Sequence, residues 1–172
     1  MMGVQSDIGY ELPRANVLQR AVQRFVQTRL GTAVFSKVLR TLDLLVHRLS
    51  GGRRTFAGIF GGVPIIMLTT TGARSGLPRT NPVIGIPHSD DLAVLGANYG
   101  LGVVPSWVYN VRADTDAELT YRDHTTKVSA REVTGEEAEA VFEAAYLIYP
   151  GYAEYRKRFA EPIPVFVLEA RH

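Results

Sequence analysis

A chain of 172 residues, 46% of them hydrophobic, is long enough to bury one core and too short to divide comfortably into two domains. Having no cysteine, it carries no disulfide, thiolate metal site or cysteine nucleophile, and a formal net charge of +2 gives it no general pull toward nucleic acid. The charge is unevenly placed: residues 1–60 hold nine Lys or Arg against three Asp or Glu, whereas residues 61–172 hold ten against fourteen.

The first residues, Met1-Met2-Gly3-Val4-Gln5-Ser6-Asp7, lack the basic-then-apolar layout of a signal peptide. No run reaches the ~18 apolar residues of a membrane span, so a cytoplasmic address is expected. Val17, Leu18, Ala21, Val22, Phe25 and Val26 recur at helical spacing with Arg20, Gln23, Arg24 and Gln27 opposite them, which predicts an amphipathic helix. A second is predicted from Val34 through Leu49, ending at Ser50-Gly51-Gly52. This basic segment, residues 14–49, suits peripheral contact with the anionic inner face of the cell membrane. Packing on the body of the domain, or on a second copy in a homodimer, is the alternative and the commoner fate of such helices.

From Thr55 the pattern shifts toward strands, at about 54–60, 64–70, 79–87, 91–97, 117–121, 127–132 and 163–169. His88-Ser89-Asp90-Asp91 and Arg122-Asp123-His124-Thr125 supply polar turns between neighbours, so an antiparallel sheet follows. Thr134-Gly135-Glu136-Glu137 reads as a capping box opening a helix that turns Ala138, Val141, Phe142 and Ala145 inward and ends near Tyr149-Pro150. The class is α+β, and strands interrupted by short helices are what a small barrel would show.

Anion-binding chemistry concentrates between the second and third predicted strands, in Leu68-Thr69-Thr70-Thr71-Gly72-Ala73-Arg74-Ser75-Gly76-Leu77-Pro78-Arg79-Thr80-Asn81-Pro82. Gly72 and Gly76 can supply the positive φ that a tight turn demands, and Arg74 and Arg79 carry forked donors suited to phosphate or carboxylate. The spacing is neither that of a Walker loop nor of a dinucleotide fingerprint. A plain hairpin with solvated arginines fits the same residues equally well. His47, His88, His124 and His172 are too scattered for a recurrent zinc motif, and no serine-hydrolase signature is present. Chemistry carried by a cofactor is therefore expected, with no metal.

The ordered set Gly51-Gly52-Arg53, Pro64, Leu68-Thr69-Thr70-Thr71-Gly72, Arg74-Ser75-Gly76, Arg79-Thr80, Pro82, Pro105-Ser106-Trp107, Tyr149-Pro150, Tyr152-Ala153-Glu154-Tyr155 and Ile163–Glu169 resembles the deazaflavin-dependent nitroreductase family from about Arg48 to Glu169. The resemblance implies a split β-barrel like that of flavin-mononucleotide-binding oxidases over residues 53–172, preceded by a helical segment over 1–52, as one structural domain overall. It implies coenzyme F-420 as cofactor, and hydride transfer from the reduced deazaflavin to a quinone, nitroaromatic or enone. Arg74, Ser75, Gly76, Arg79, Thr80 and Pro82 stand at the family's phosphate-binding positions, and Arg53 and Arg54 are candidates for the carboxylate tail.

Ala97, Asn98, Tyr99 and Gly100 align with the loop that touches the deazaflavin ring, where relatives often carry Ser-Lys-Gly-Gly and this chain carries Asn98-Tyr99-Gly100-Leu101. Trp107 is a candidate pocket wall, with a place in the core as its bland alternative. Tyr149, Tyr152 and Tyr155 align with tyrosines of the substrate pocket, and Tyr152, Asn98 or a water is the expected proton source. A flavin-mononucleotide enzyme on the same barrel, and a non-catalytic deazaflavin or apolar-ligand carrier at the membrane surface, are the rival expectations.

Overall fold

The structure, a computed structural model, describes residues 3–12, 19, 45–46 and 62–171. The predicted helices over 17–26 and 34–49, the predicted strand over 54–60, and Arg53 and Arg54 lie outside the described residues, apart from single helical positions at Gln19, Leu45 and Val46.

Among the described residues, seven strands form one antiparallel sheet: β1 (Ile65–Thr71), β2 (Pro78–Ile84), β3 (Ile86–His88), β4 (Asp91–Leu95), β5 (Asp116–Tyr121), β6 (His124–Val133) and β7 (Val165–Ala170). Their spatial order is β2-β1-β5-β6-β7-β4-β3. The two edge strands are consecutive in the chain and separated only by Gly85, so the sheet curls until one bent segment serves both edges. The first arm of that segment pairs with β1, Ile84 opposite Ile65, and the second pairs with β4, Ile86 opposite Ala93. A continuous strand was expected over 79–87. Gly85 breaks it, since a Cβ there would stand 3.2 Å from both Ile66 Cγ2 and the Tyr10 ring. The sheet is therefore curled into a half-barrel, with β2 and β3 as its two edges.

Period-two alternation divides the apolar residues between two cores. Leu92 and Val94 of β4 and Phe166 and Leu168 of β7 point to one side, where α2 (Ser106–Ala113) contributes Trp107, Val108 and Val111. Ala93, Leu95, Val165 and Val167 point to the other, which is covered by α3 (Gly135–Ile148) and α4 (Gly151–Arg156). Both faces of β4 and β7 are thus buried, which is why these strands read as unbroken apolar runs. The N-terminal turn α1 (Val4–Asp7) enters the first core through Val4 and Ile8. It is tied down by Val4 N–H donating to Asp91 Oδ1 at 3.1 Å and by Gln5 Nε2 donating to Asp91 O at 2.7 Å.

The capping box is not formed. Thr134 is the N-cap of α3, but its side chain makes no cap hydrogen bond, and Gly135 enters the helix with φ +62°. Glu137 turns instead to Arg131, whose Nη1 and Nη2 donate to it at 3.0 and 2.9 Å, and to His88 Nε2 at 3.3 Å. A forked, charge-assisted pair outcompetes a single bond to a backbone amide. The helix ends at Ile148, as its apolar spacing predicts.

Candidate active site

The β1–β2 turn folds upon itself. Gly72 N–H donates to Leu77 O at 2.9 Å, Ser75 and Gly76 N–H donate to Gly72 O at 3.1 and 2.8 Å, and Leu77 N–H donates to Ser75 Oγ at 3.3 Å. Of the two glycines expected at positive φ, only Gly76 takes it, at +65°. Gly72 is required for space instead, because a Cβ there would lie 2.6 Å from Ser75 Oγ. With these amides bonded internally, the donors left for an anion are chiefly guanidinium groups rather than an amide nest.

Arg74 and Arg79 are exposed and have no side-chain partner among the described residues. Every other described arginine is engaged. Arg112 binds Glu132, Arg122 binds Glu11, Arg131 binds Glu137 and Glu169, Arg156 binds Glu139, Arg171 binds Asp116, and Arg158 donates to Gly100 O. The contrast marks the turn as a place where positive charge is left uncompensated. Thr80 lies on the β2 side, its Oγ1 2.9 Å from Thr69 Oγ1, and half-buried Pro82 faces Met67 across the ladder.

Helix α2 lies between this turn and the loop that follows β4. Its Asn110 is buried, with Oδ1 accepting from Ala73 N–H at 3.0 Å and Nδ2 donating to Thr70 Oγ1 at 2.9 Å. One turn earlier, Trp107 is buried edge-on to Phe166, the ring centroids 5.7 Å apart. Between them Val108 supports Gly96, where a Cβ would fall 2.9 Å from Val108 Cγ2. Ala97 and the next loop begin at that contact.

In the loop, Asn98, Tyr99 and Gly100 take φ of +42°, +56° and +74° in succession. Left-handed backbone costs an L-residue with a side chain about 1–2 kcal/mol, so Asn98 and Tyr99 hold a strained shape that the surroundings must enforce. The surroundings are α4 and its C-terminal flank. Gly100 packs on the Tyr155 ring, its carbonyl accepts from Arg158 Nη1 at 3.3 Å, and the Arg158 guanidinium stacks 5.6 Å from the Tyr155 ring centroid.

Tyr149, Tyr152 and Tyr155 converge, with ring centroids 5.6 to 5.9 Å apart, and all three are buried in the second core. Gly151 permits this, since a Cβ there would stand 2.7 Å from the Tyr149 hydroxyl and nearer still to its ring. The Tyr149 and Tyr155 hydroxyls bond each other at 3.0 Å, whereas the Tyr152 hydroxyl has no hydrogen-bond partner among the described residues. Burial raises all three phenols above the ordinary tyrosine value, and Tyr152 is raised further by its neighbours Tyr155, Tyr10 and Tyr99. Burial thus favours the neutral, proton-bearing form of each.

The fold thus brings the ring loop 97–100 against Tyr155, and joins it through α2 to the arginine turn. Asn110 and Arg158 were not singled out from sequence. Asn110 was detectable as a polar residue on the apolar stripe of Trp107, Val108 and Val111. Arg158 carried no local signal. Among the described residues no group of His, Asp or Glu could hold a metal ion, and no helix is long and apolar enough to cross a membrane.

A family model described as F420H(2)-dependent quinone reductase matches residues 39–170. An F420H(2)-dependent quinone reductase of Mycobacterium tuberculosis is 26% identical over 155 residues, covering 87% of this chain and 99% of the relative. Among solved structures, an F420-H2 dependent reductase superposes with a TM-score of 0.58 at 36% identity, covering 62% of this chain and 94% of that one. A chain described as a domain-swapped dimer superposes with a TM-score of 0.60 at 32% identity, covering 75% and 93%.

Proposed function

The chain belongs to the F420H(2)-dependent quinone reductase family and is an F-420-dependent reductase, and from that footing we propose that its site delivers hydride to a flat acceptor, a quinone first and a nitroaromatic or enone by the same geometry. The fold would be the split β-barrel, with the curled sheet as its wall. When bound, the reduced deazaflavin supplies the hydride, and the protein's task is to hold donor and acceptor in near-attack geometry. The flavin-mononucleotide alternative gains no support from the family or its relatives.

The residues present fit such a cofactor. Arg74 and Arg79, with Ser75, Gly76, Thr80 and Pro82 around them, would hold the phosphate. Ala97, Asn98, Tyr99 and Gly100 would meet the ring, while Trp107 supports the pocket from the core. Tyr149, Tyr152 and Tyr155 would form the acceptor wall. Tyr152 is the preferred proton source, with Asn98 second, because among the described residues its hydroxyl alone of the three is not spent on another side chain. The single observation that carries the assignment is the pair of arginines left without a side-chain partner among the described residues, linked through α2 to the left-handed loop on Tyr155. Pairing of two copies is supported by the likeness to the domain-swapped dimer, and contact of residues 14–49 with a membrane from the cytoplasm rests on their basic amphipathic pattern.

The test is titration of the purified protein with coenzyme F-420 beside flavin mononucleotide, then mixing of the reduced deazaflavin complex with a menaquinone analogue. Tight deazaflavin binding with acceptor-dependent reoxidation is expected. Binding without reoxidation across quinone, nitroaromatic and enone acceptors would sink the reductase proposal in favour of a carrier.

A further inference from the structure

We propose that Asn110 is a positioning residue for the anion-binding turn, one buried amide that ties the backbone just before Arg74 to helix α2 and braces the β1 strand opposite Arg79. The proposal rests on the assignment of that turn to the coenzyme's phosphate. Asn110 is only 8% exposed, yet it stands on a helix face otherwise given to Trp107, Val108 and Val111. An amide kept in such a place must have partners, because burying it unpaired is costly.

Its Oδ1 accepts the N–H of Ala73, the residue immediately before Arg74, at 3.0 Å. Its Nδ2 donates to Thr70 Oγ1 at 2.9 Å, and that hydroxyl passes the constraint on by donating to the carbonyl oxygen of Arg79 at 3.4 Å. Acceptor and donor thus engage the turn and the end of β1 that leads into it, with Thr70 carrying the contact across to β2. Aspartate would offer no donor to Thr70 and would place a negative charge beside the anion site, while leucine would offer neither contact. The remaining bonds of the turn are local, between residues 72 and 77, and its two ends are held by the β1–β2 ladder, where Thr70 pairs with Arg79 and Thr71 with Pro78. Asn110 adds a tie from outside the hairpin, fixing the turn to helix α2. Two long cationic side chains converge on one anion at lower entropic cost when their backbones are already fixed.

The test compares two probes, whole coenzyme F-420 and its deazaflavin nucleoside, which lacks the phosphate and the glutamates, with amide hydrogen exchange of the ligand-free protein beside them. Asn110→Leu is expected to lose about tenfold in affinity for the whole coenzyme and less than twofold for the nucleoside, while the Ala73 to Gly76 amides exchange faster. Thr70→Val should repeat the pattern and Thr70→Ser restore it, so the test survives if Asn110→Leu does not fold. An equal loss for both probes would overturn the proposal by making Asn110 a general structural residue. Unchanged exchange at Ala73 would overturn it whatever the ligands do. If the wild-type protein binds nucleoside and coenzyme equally, the phosphate assignment of the turn falls, and the exchange result still judges the hold of Asn110 on the turn.

Discussion

Gly100→Ala should damage this protein more than any other substitution of one glycine by alanine in the expected site loops, through two separable costs. Gly100 has φ +74°, and giving a left-handed residue a Cβ costs about 1–2 kcal/mol. The new Cβ would also lie 2.5 Å from Tyr155 Cε1 and 2.7 Å from Cγ, and closer still to Cδ1. The ring cannot easily retreat, being held by its hydroxyl bond to Tyr149 at 3.0 Å and enclosed by the Tyr149 and Tyr152 rings and Arg158. Overpacking of this kind costs about 1–3 kcal/mol, so the total is about 2–5 kcal/mol. In a chain of this size that lowers Tm by roughly 5–15 °C. Gly76→Ala is the control, because Gly76 has φ +65° but open space around the new Cβ, and only the backbone cost of about 1–2 kcal/mol applies. Thermal and urea unfolding of the two variants, with Tyr155→Leu added to each, isolate the ring contact as a coupling energy. Equal destabilisation by Gly100→Ala and Gly76→Ala would refute the claim that Tyr155 packs directly on the loop.

Arg74→Ala and Arg79→Ala should each weaken F-420 binding about 10- to 150-fold, one charge-assisted contact being worth about 1.5–3 kcal/mol, and shift stability by under about 0.5 kcal/mol. Unchanged coenzyme affinity in both, measured by fluorescence titration, would remove the phosphate site. Tyr152→Phe should leave stability nearly unchanged and slow quinone reduction about tenfold or more, whereas Tyr149→Phe orphans the Tyr155 hydroxyl and costs about 1–2 kcal/mol. Urea midpoints and single-turnover rates of the two variants decide between these roles. Arg131 first, then His88, hold the Glu137 carboxyl down at about 2, below its ordinary 4.5, so its contribution to stability is complete above pH 4.5 and is lost as the pH falls toward 2. The stability deficit of Glu137→Gln should therefore be full near neutral pH and vanish at the acid end; a deficit independent of pH would show that the ion pairs are not its cause.

Much of the fold was legible along the chain because its signals are local. Alternating and continuous apolar runs located the described strands to within a few residues, and the apolar spacing after Thr134 located α3 together with its end. The turn at Gly72–Gly76 and its two arginines were also local, and the ordered motifs from Gly51 to Glu169 named the family that the comparison with relatives then showed. Side-chain pairing was not legible. Glu137 had a good local partner in the capping box, yet the fold set Arg131 and His88 beside it, and the stronger forked pair prevailed. Gly85 reads locally as one more strand residue, whereas the curled sheet bends there and brings Ile66 and Tyr10 against its bare Cα.

Sequence by itself determined which residues are apolar, where strands and helices run, and where charge gathers, since each depends on a residue and its few neighbours. Tertiary structure alone decided which charges remain uncompensated. All eight described arginines are chemically alike, and only their placement leaves Arg74 and Arg79 without a carboxylate among the described residues while the other six are bound. It likewise decided that Asn110, forty residues from Thr70, would hold the turn, because a contact at that separation exists only once the sheet has curled and α2 has packed beneath it.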